Sequence, residues 1–105
     1  EGCFGRRVRL AADEMPTIGI FIERLEAGQV TRRYRHSANA VFSPMMGTGT
    51  SVIGGTEIDW SRGDTFVGPT WNWIEHRAHE DTILFTMTDE FLMRFSNYYR
   101  LEKAD

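Results

Sequence analysis

Three histidines, His36, His76 and His79, are the side chains of this sequence best suited to bind a metal or move a proton near neutral pH. Strand side chains alternate, so Tyr34 and His36 share one face of their segment, and Ile74 and His76 share one face of theirs. If both faces point into a barrel, its mouth holds Tyr34, His36, Ile74 and His76. Two imidazoles are too few for a non-haem iron site, which takes three protein ligands on one face and leaves open positions opposite. Glu75 is a further donor, but alternation turns it away from His76. His79 reads as an ordinary surface or core histidine. Trp60 and at least one of Trp71 and Trp73 read as core or hairpin packing, and the other use of such residues is an aromatic wall for a planar ligand. Arg32, Arg33 and Arg35 would suit an anion, although such a run more often marks a solvated strand face or an interface. Gly47-Thr48-Gly49-Thr50 has no Lys after it and no helical pattern, so it reads as a strand turn and not as a phosphate loop. No G-x-S-x-G is present, which removes the hydrolase elbow. Cys3 is the single cysteine, so an internal disulfide and a C-x-x-C zinc site are both excluded, and the lone thiol suits a reducing, cytoplasmic compartment.

The elements that must position these residues are short and β-prone. A chain of 105 residues, 41% hydrophobic and 12% aromatic, is one globular domain with a real core or a piece of something larger. Twelve Lys and Arg against fifteen Asp and Glu, a net charge of -3, argue against a nucleic-acid binder. No apolar run approaches a membrane span, and no apolar stretch follows Arg6-Arg7 to make a signal peptide. The sequence also lacks an initiator Met, which raises the expectation that it is cut from a longer chain. Thr17 to Leu25 alternates as a strand does, with Ile18, Ile20 and Ile22 on one face. Further strands are expected over 29–36 and over 40–46, the latter interrupted by Pro44. Thr48 to Ile53 and Thr56 to Trp60 flank Gly54-Gly55, a strong hairpin signal. A short strand over 65–67 precedes Gly68-Pro69, and Trp71 to Ala78 should pair with Thr82 to Thr88 across His79-Glu80-Asp81. Thr88 or Asp89 can cap a short C-terminal helix reaching Asn97. Asp64, after Gly63, should fix its own turn. Seven or eight short strands predict an all-β sandwich or barrel.

Certain stretches carry a resemblance. Tyr34-Arg35-His36 ends a polar strand and is followed by another strand and Gly47. The Gly54-Gly55 hairpin comes next, and then Gly63-Asp64-Thr65-Phe66-Val67-Gly68-Pro69. This order resembles the two motifs of a cupin: H-x-H, a Glu and a Gly in the first, and G-D, a short strand, Pro and a later His in the second. More narrowly, Pro16-Thr17-Ile18-Gly19, Asp59-Trp60-Ser61-Arg62-Gly63-Asp64-Thr65-Phe66-Val67 and Pro69-Thr70-Trp71-Asn72-Trp73-Ile74-Glu75-His76 are similar to the second, C-terminal cupin of gentisate 1,2-dioxygenases. So are Leu84-Phe85-Thr86-Met87-Thr88-Asp89 and Tyr99-Arg100. Salicylate and 1-hydroxy-2-naphthoate dioxygenases share these motifs.

The resemblance implies an all-β single cupin barrel over 1–105, the C-terminal half of a two-cupin chain, with 1–14 as a lead-in and 102–105 as a frayed tail. It also implies four ligand positions, of which this sequence keeps one. Tyr34 stands at the first His of the H-x-H pair, His36 at the second, Ala40 or Val41 at the Glu, and Ile74 at the His of the second motif. The domain is therefore expected to hold no catalytic metal, with Fe(II) in the other cupin of its parent. The parent would be an oligomer acting on a hydroxylated aromatic acid. Phe4, Phe91, Met93 and Phe95 are candidates for apolar surface facing its partners. Two other readings stand beside this one. One is a free-standing cupin that binds a small aromatic acid, with His76, Trp71 and Trp73 as its pocket. The other is a divergent metal site built on His36, His76 and Glu75.

Overall fold

A computed structural model describes residues 6–10 and 18–103. Ten strands and one helix follow in order: β1 (Arg6–Leu10), β2 (Gly19–Leu25), β3 (Tyr34–His36), β4 (Ala40–Met46), β5 (Thr48–Ile53), β6 (Thr56–Ser61), β7 (Phe66–Gly68), β8 (Ile74–Ala78), β9 (Thr82–Thr88), α1 (Glu90–Phe95) and β10 (Leu101–Lys103). They form two five-stranded antiparallel sheets, ordered β1-β2-β9-β4-β7 and β10-β3-β8-β5-β6. The two inner faces meet in a core of Tyr34, Phe42, Ile53, Trp60, Ile74 and Leu84. Two packed sheets with almost no helix is the all-β barrel that the strand pattern predicts.

Local chemistry explains the joints. Gly54 and Gly55 both take positive φ, 57° and 84°, which a tight two-residue hairpin between Ile53 and Thr56 needs. Asp64 accepts from its own turn, with the Ser61 N–H 2.9 Å from its carboxylate. The β4–β9 ladder slips between Pro44 and Met46, since proline has no N–H for the ladder.

Several expectations change. Residues 6–10 of the supposed lead-in form a full edge strand, paired with β2 from Arg6↔Arg24 to Leu10↔Ile20. The rest of 1–14 lies outside the described residues. Glu102 and Lys103 of the supposed frayed tail pair with Arg35 and Tyr34, because β3 would otherwise be a bare edge. Residues 104 and 105 lie outside the described residues. The helix stops at Phe95, short of Asn97, and β10 follows it, so no helix ends the described chain. Over 29–36 only Tyr34–His36 is a strand, with Val30 bridging singly to Arg77. The 71–78 segment becomes a strand only at Ile74, since Trp71 sits at φ 59°, outside β geometry. Finally, β8 and β9 do not pair. The His79 N–H donates to the Thr48 carbonyl, so β8 continues beside β5, while β9 crosses to the other sheet between β2 and β4.

The tightest joint between sheet and core is Gly49. A Cβ there would stand 2.5 Å from the Trp60 ring and against the Arg77 carbonyl. Gly49→Ala should cost about 1–3 kcal/mol from overpacking. Chemical denaturation beside Gly55→Ala, where a Cβ meets nothing but φ is positive, separates crowding from backbone strain.

Candidate functional site

The barrel interior gathers four of the residues singled out from sequence. Tyr34 on β3 stands directly opposite Ile74 on β8, and both are buried, at 1% and 0% exposure. His36 lies two residues along, its ring centroid 5.3 Å from that of Tyr34. Ala40 enters from β4 of the other sheet, opposite Gly68 on β7. Gly68 shows how the interior is filled. A Cβ there would lie 2.8 Å from the Ile74 Cδ1 and 3.0 Å from the Phe42 ring. Ile74 thus reaches across from one sheet to the backbone of the other. Ile74 and the Phe42 ring occupy the space before Gly68.

The two inward histidines are dry. His36 is buried, and its Nδ1 stands 3.0 Å from the Ala38 carbonyl. A carbonyl only accepts, so Nδ1 carries the proton. Burial lowers the His36 pKa, against a raising pull from Glu90 and with a lowering push from Arg7. His76 is buried more deeply, edge to face with Phe42 at 4.7 Å. Its Nδ1 lies 2.6 Å from the Ser51 hydroxyl, and the Trp60 indole N–H donates to the same hydroxyl at 2.9 Å. The arrangement that satisfies all three groups has Trp60 donating to Ser51 and Ser51 donating to the Nδ1 of His76. His76 then carries its proton on Nε2, which has no hydrogen-bond partner among the described residues. Desolvation pushes its pKa down to about 4, so this histidine is neutral at pH 7. Its chemistry is that of a fixed core group.

The other singled-out residues lie elsewhere. Trp71 and Trp73 do not join His76 in a pocket. Alternation along β8 points Ile74 and His76 inward and turns Trp73 and Glu75 toward the outer surface of that sheet. There the Arg35 guanidinium sits 4.5 Å from the centroid of Trp71 and 4.7 Å from that of Trp73, and pairs with Glu102. Arg33 covers Trp73 at 5.0 Å. Glu75 is engaged by Arg77 at 2.6 Å on the same outer side, so it cannot serve a metal site with His76. Arg33 and Arg35 of the arginine run therefore form a cation–π face. His79 is exposed, with Thr50 as its neighbour at 3.3 Å.

Sequence reading missed one cluster. Glu23 and Glu90 are both buried, and Arg7 of β1 lies 3.6 Å from one and 3.4 Å from the other while covering the Phe21 ring. The signal was present in β2, where Glu23 falls on the same face as Phe21 and Leu25. Its partner Arg7 lay in the stretch read as a lead-in.

A cupin-type iron needs three or four imidazole or carboxylate donors on one inner face. Among the described residues no three His, Cys, Asp or Glu side chains gather closely enough to hold a metal ion. Tyr34 and Ile74 present a phenol and a hydrocarbon to the interior, and no imidazole. The described residues do not fit an iron centre.

With the geometry in hand, the fold can be placed. The described chain superposes on the cupin domain of Schizosaccharomyces pombe Cnp3 with a TM-score of 0.72 over 79% of its length, at 15% identity, a likeness of fold alone. The protein is a cupin barrel. It superposes more closely, at a TM-score of 0.88 and 27% identity, on salicylate 1,2-dioxygenase from Pseudaminobacter salicylatoxidans, covering 92% of this chain and 29% of that one. In sequence it is 38% identical over 87 residues to 5-aminosalicylate 1,2-dioxygenase of a Comamonas species, and 37% identical over 86 residues to gentisate 1,2-dioxygenase 1 of Aquipseudomonas alcaligenes. It is a cupin domain of a gentisate dioxygenase-like protein. The match takes in 82% of this chain and about a quarter of the relatives, 23% and 25% of their lengths. No protein-family model matches the chain. Among the described residues no helix is long and apolar enough to cross a membrane.

The buried histidine makes stability depend on pH. An unfolded His76 titrates near 6.5 and the folded one near 4, so the unfolded state binds more protons between these values. Stability should fall as pH drops from about 6.5 to about 4, by up to about 3 kcal/mol, and level off below. Urea midpoints measured across this range should show a flatter profile for His76→Gln, whose amide can still accept from Ser51.

Proposed function

We propose that this chain is the metal-free C-terminal cupin of a gentisate 1,2-dioxygenase-like enzyme, and that it supports ring cleavage carried out elsewhere in its parent. In this reading the parent is a cytoplasmic oligomer. The Fe(II) and the hydroxylated aromatic acid both belong to its N-terminal cupin, which packs against this one. The iron there would supply a Lewis acid and a redox centre for cleavage with O₂. What supports the reading is the Tyr34–Ile74 pair. The family motifs assign histidine to both positions, and here both are buried opposite each other, with Ile74 reaching Gly68 beside Phe42. Residues that fill a former coordination space contribute packing and exclude water; they hold no ion and move no proton.

Metal analysis tests the reading directly. The chain prepared without oxygen should carry well below one equivalent of iron, manganese or zinc. Close to one equivalent, lost in His36→Ala, would overturn the proposal and favour a divergent metal site. The chain alone, given Fe(II) and ascorbate in air, should yield no ring-opened product from gentisate above an iron-only control.

Restoring the lost imidazoles tests the assigned positions. Ile74→His should cost about 1–3 kcal/mol, from lost burial and a new buried polar group, and Tyr34→His less. In the double variant Ni(II) or Fe(II) should raise the melting temperature, because a metal bound only by the folded state stabilises it. The unaltered chain should not respond. A folded double variant that ignores metal would show that Tyr34, His36 and Ile74 do not surround one former site.

A further inference from the structure

The outer face of the β10-β3-β8-β5-β6 sheet gathers two indoles and two guanidiniums that neither the core nor the barrel interior uses. The Arg33 and Arg35 guanidiniums lie 5.0 and 4.7 Å from the centroid of one ring, that of Trp73, and Arg35 also lies 4.5 Å from that of Trp71. Two like charges over one ring stand within about 10 Å of each other, the screening length near 0.1 M salt. Among the described residues one carboxylate answers them. Glu102 takes the head of Arg35, its Oε1 2.6 Å from Nε. Glu75, further along, is held by Arg77. The Arg33 charge is left unmatched among the described residues, beside aromatic surface open to water.

The backbone at Trp71 points the same way. A bulky residue at positive φ is an outlier, and Trp71 sits at φ 59°. Such strain persists only where the surroundings impose it, and it gathers at ligand clamps. Three hydrogen bonds impose it here. The Trp71 N–H donates to the His36 carbonyl at 2.7 Å, the Thr70 N–H to the Asn39 side-chain oxygen at 2.9 Å, and the Thr70 hydroxyl to the Ser37 carbonyl at 2.6 Å. Burial does not offset the strain, since Trp71 is 42% exposed. Glycine would hold the same turn without it. What the strain secures is an indole fixed beside Arg35 with part of its surface free.

We infer that Trp71, Trp73, Arg33 and Arg35 form a surface site for a planar aromatic carboxylate. Its ring stacks on the open part of the Trp71 indole. Its carboxylate meets the fork of Arg33, whose planar donors match two carboxylate oxygens. Glu102 makes the same kind of contact from within the chain, a carboxylate on Arg35 beside both indoles. A single unmatched guanidinium suits one negative charge. The site lies outside the barrel and calls for no metal, so it stands or falls separately from the metal reading above.

Titration of the chain with 2-naphthoate, with EDTA present, tests it. In proton–nitrogen correlation spectra the indole N–H signals of Trp71 and Trp73 should move with a dissociation constant of about 1 mM or tighter. The signal of Trp60, buried and bonded to Ser51, should stay in place. Naphthalene-2-methanol, which lacks the charge, and cyclohexanecarboxylate, which lacks the aromatic plane, should each bind at least about threefold more weakly. Trp71→Gly should stay folded, since glycine takes that φ freely, and Arg33→Gln alters an exposed side chain. Each should weaken binding at least about threefold. Glu102→Gln releases Arg35 and should tighten binding by up to about fivefold. Glu57→Gln, exposed on β6, should change nothing. If Trp71→Gly does not fold, Arg33→Gln decides alone. Indole signals of Trp71 and Trp73 that ignore 2-naphthoate overturn the inference. So does an alcohol that binds as tightly as the acid, binding unchanged in the folded variants of Trp71 and Arg33, or weaker binding in folded Glu102→Gln.

Discussion

The barrel is closed at the contact between Tyr34 and Ile74. This is the one registered pair between β3 and β8, and through it the β10-β3 ribbon joins the rest of its sheet. The same contact brings Ile74 against Gly68 and Phe42 in the opposite sheet. One buried pair therefore ties strand to strand and sheet to sheet. Wherever such a space held a metal, coordination bonds could make that tie, and the side chains around it would have to stay polar and open. Here dispersion and burial make it. The neighbouring histidines follow from that choice. His36 turns to a backbone carbonyl and His76 to a serine hydroxyl.

The charged groups of the interior sit apart from this apolar centre. Arg7, Glu23 and Glu90 form their own cluster at the β1 side of the other sheet. A buried carboxylate is costly unless paired, and the pairing here depends on an edge strand laid down at the start of the chain. The edge strand β1 is thus more than a cover for β2, since it brings the guanidinium that makes an inward Glu23 tolerable. Polar residues inside this sheet and apolar ones outside are two aspects of one arrangement.

Sequence made much of this legible. Period-two alternation located most of the strands, the Gly54-Gly55 pair fixed its hairpin, and the phenol and hydrocarbon at residues 34 and 74 marked an interior without imidazole at those two places. What sequence could not supply was long-range partnership. His79-Glu80-Asp81 has the composition of a hairpin turn, yet it links two sheets, because the partners of β8 and β9 lie tens of residues away. Arg7 reads as part of a lead-in segment until β2 lies beside it. Trp71 and Trp73 read as core packing or as a ligand wall with His76, and they are neither, because their backbone conformation is not written in the residue pattern. The left-handed backbone at Trp71 delays the strand to Ile74 and sends the indoles outward to Arg33 and Arg35.

Strand β9 stands in the middle of its sheet, flanked by β2 and β4, although it is the ninth of ten strands along the chain. During synthesis, then, β2 and β4 have no neighbour to share between them until residue 88 has left the ribosome. Until then β2, beside β1, and β4, beside β7, each keep one edge open. Such a nascent chain is a natural client for a holding chaperone, and it is released from that need only when β9 fills the gap between them.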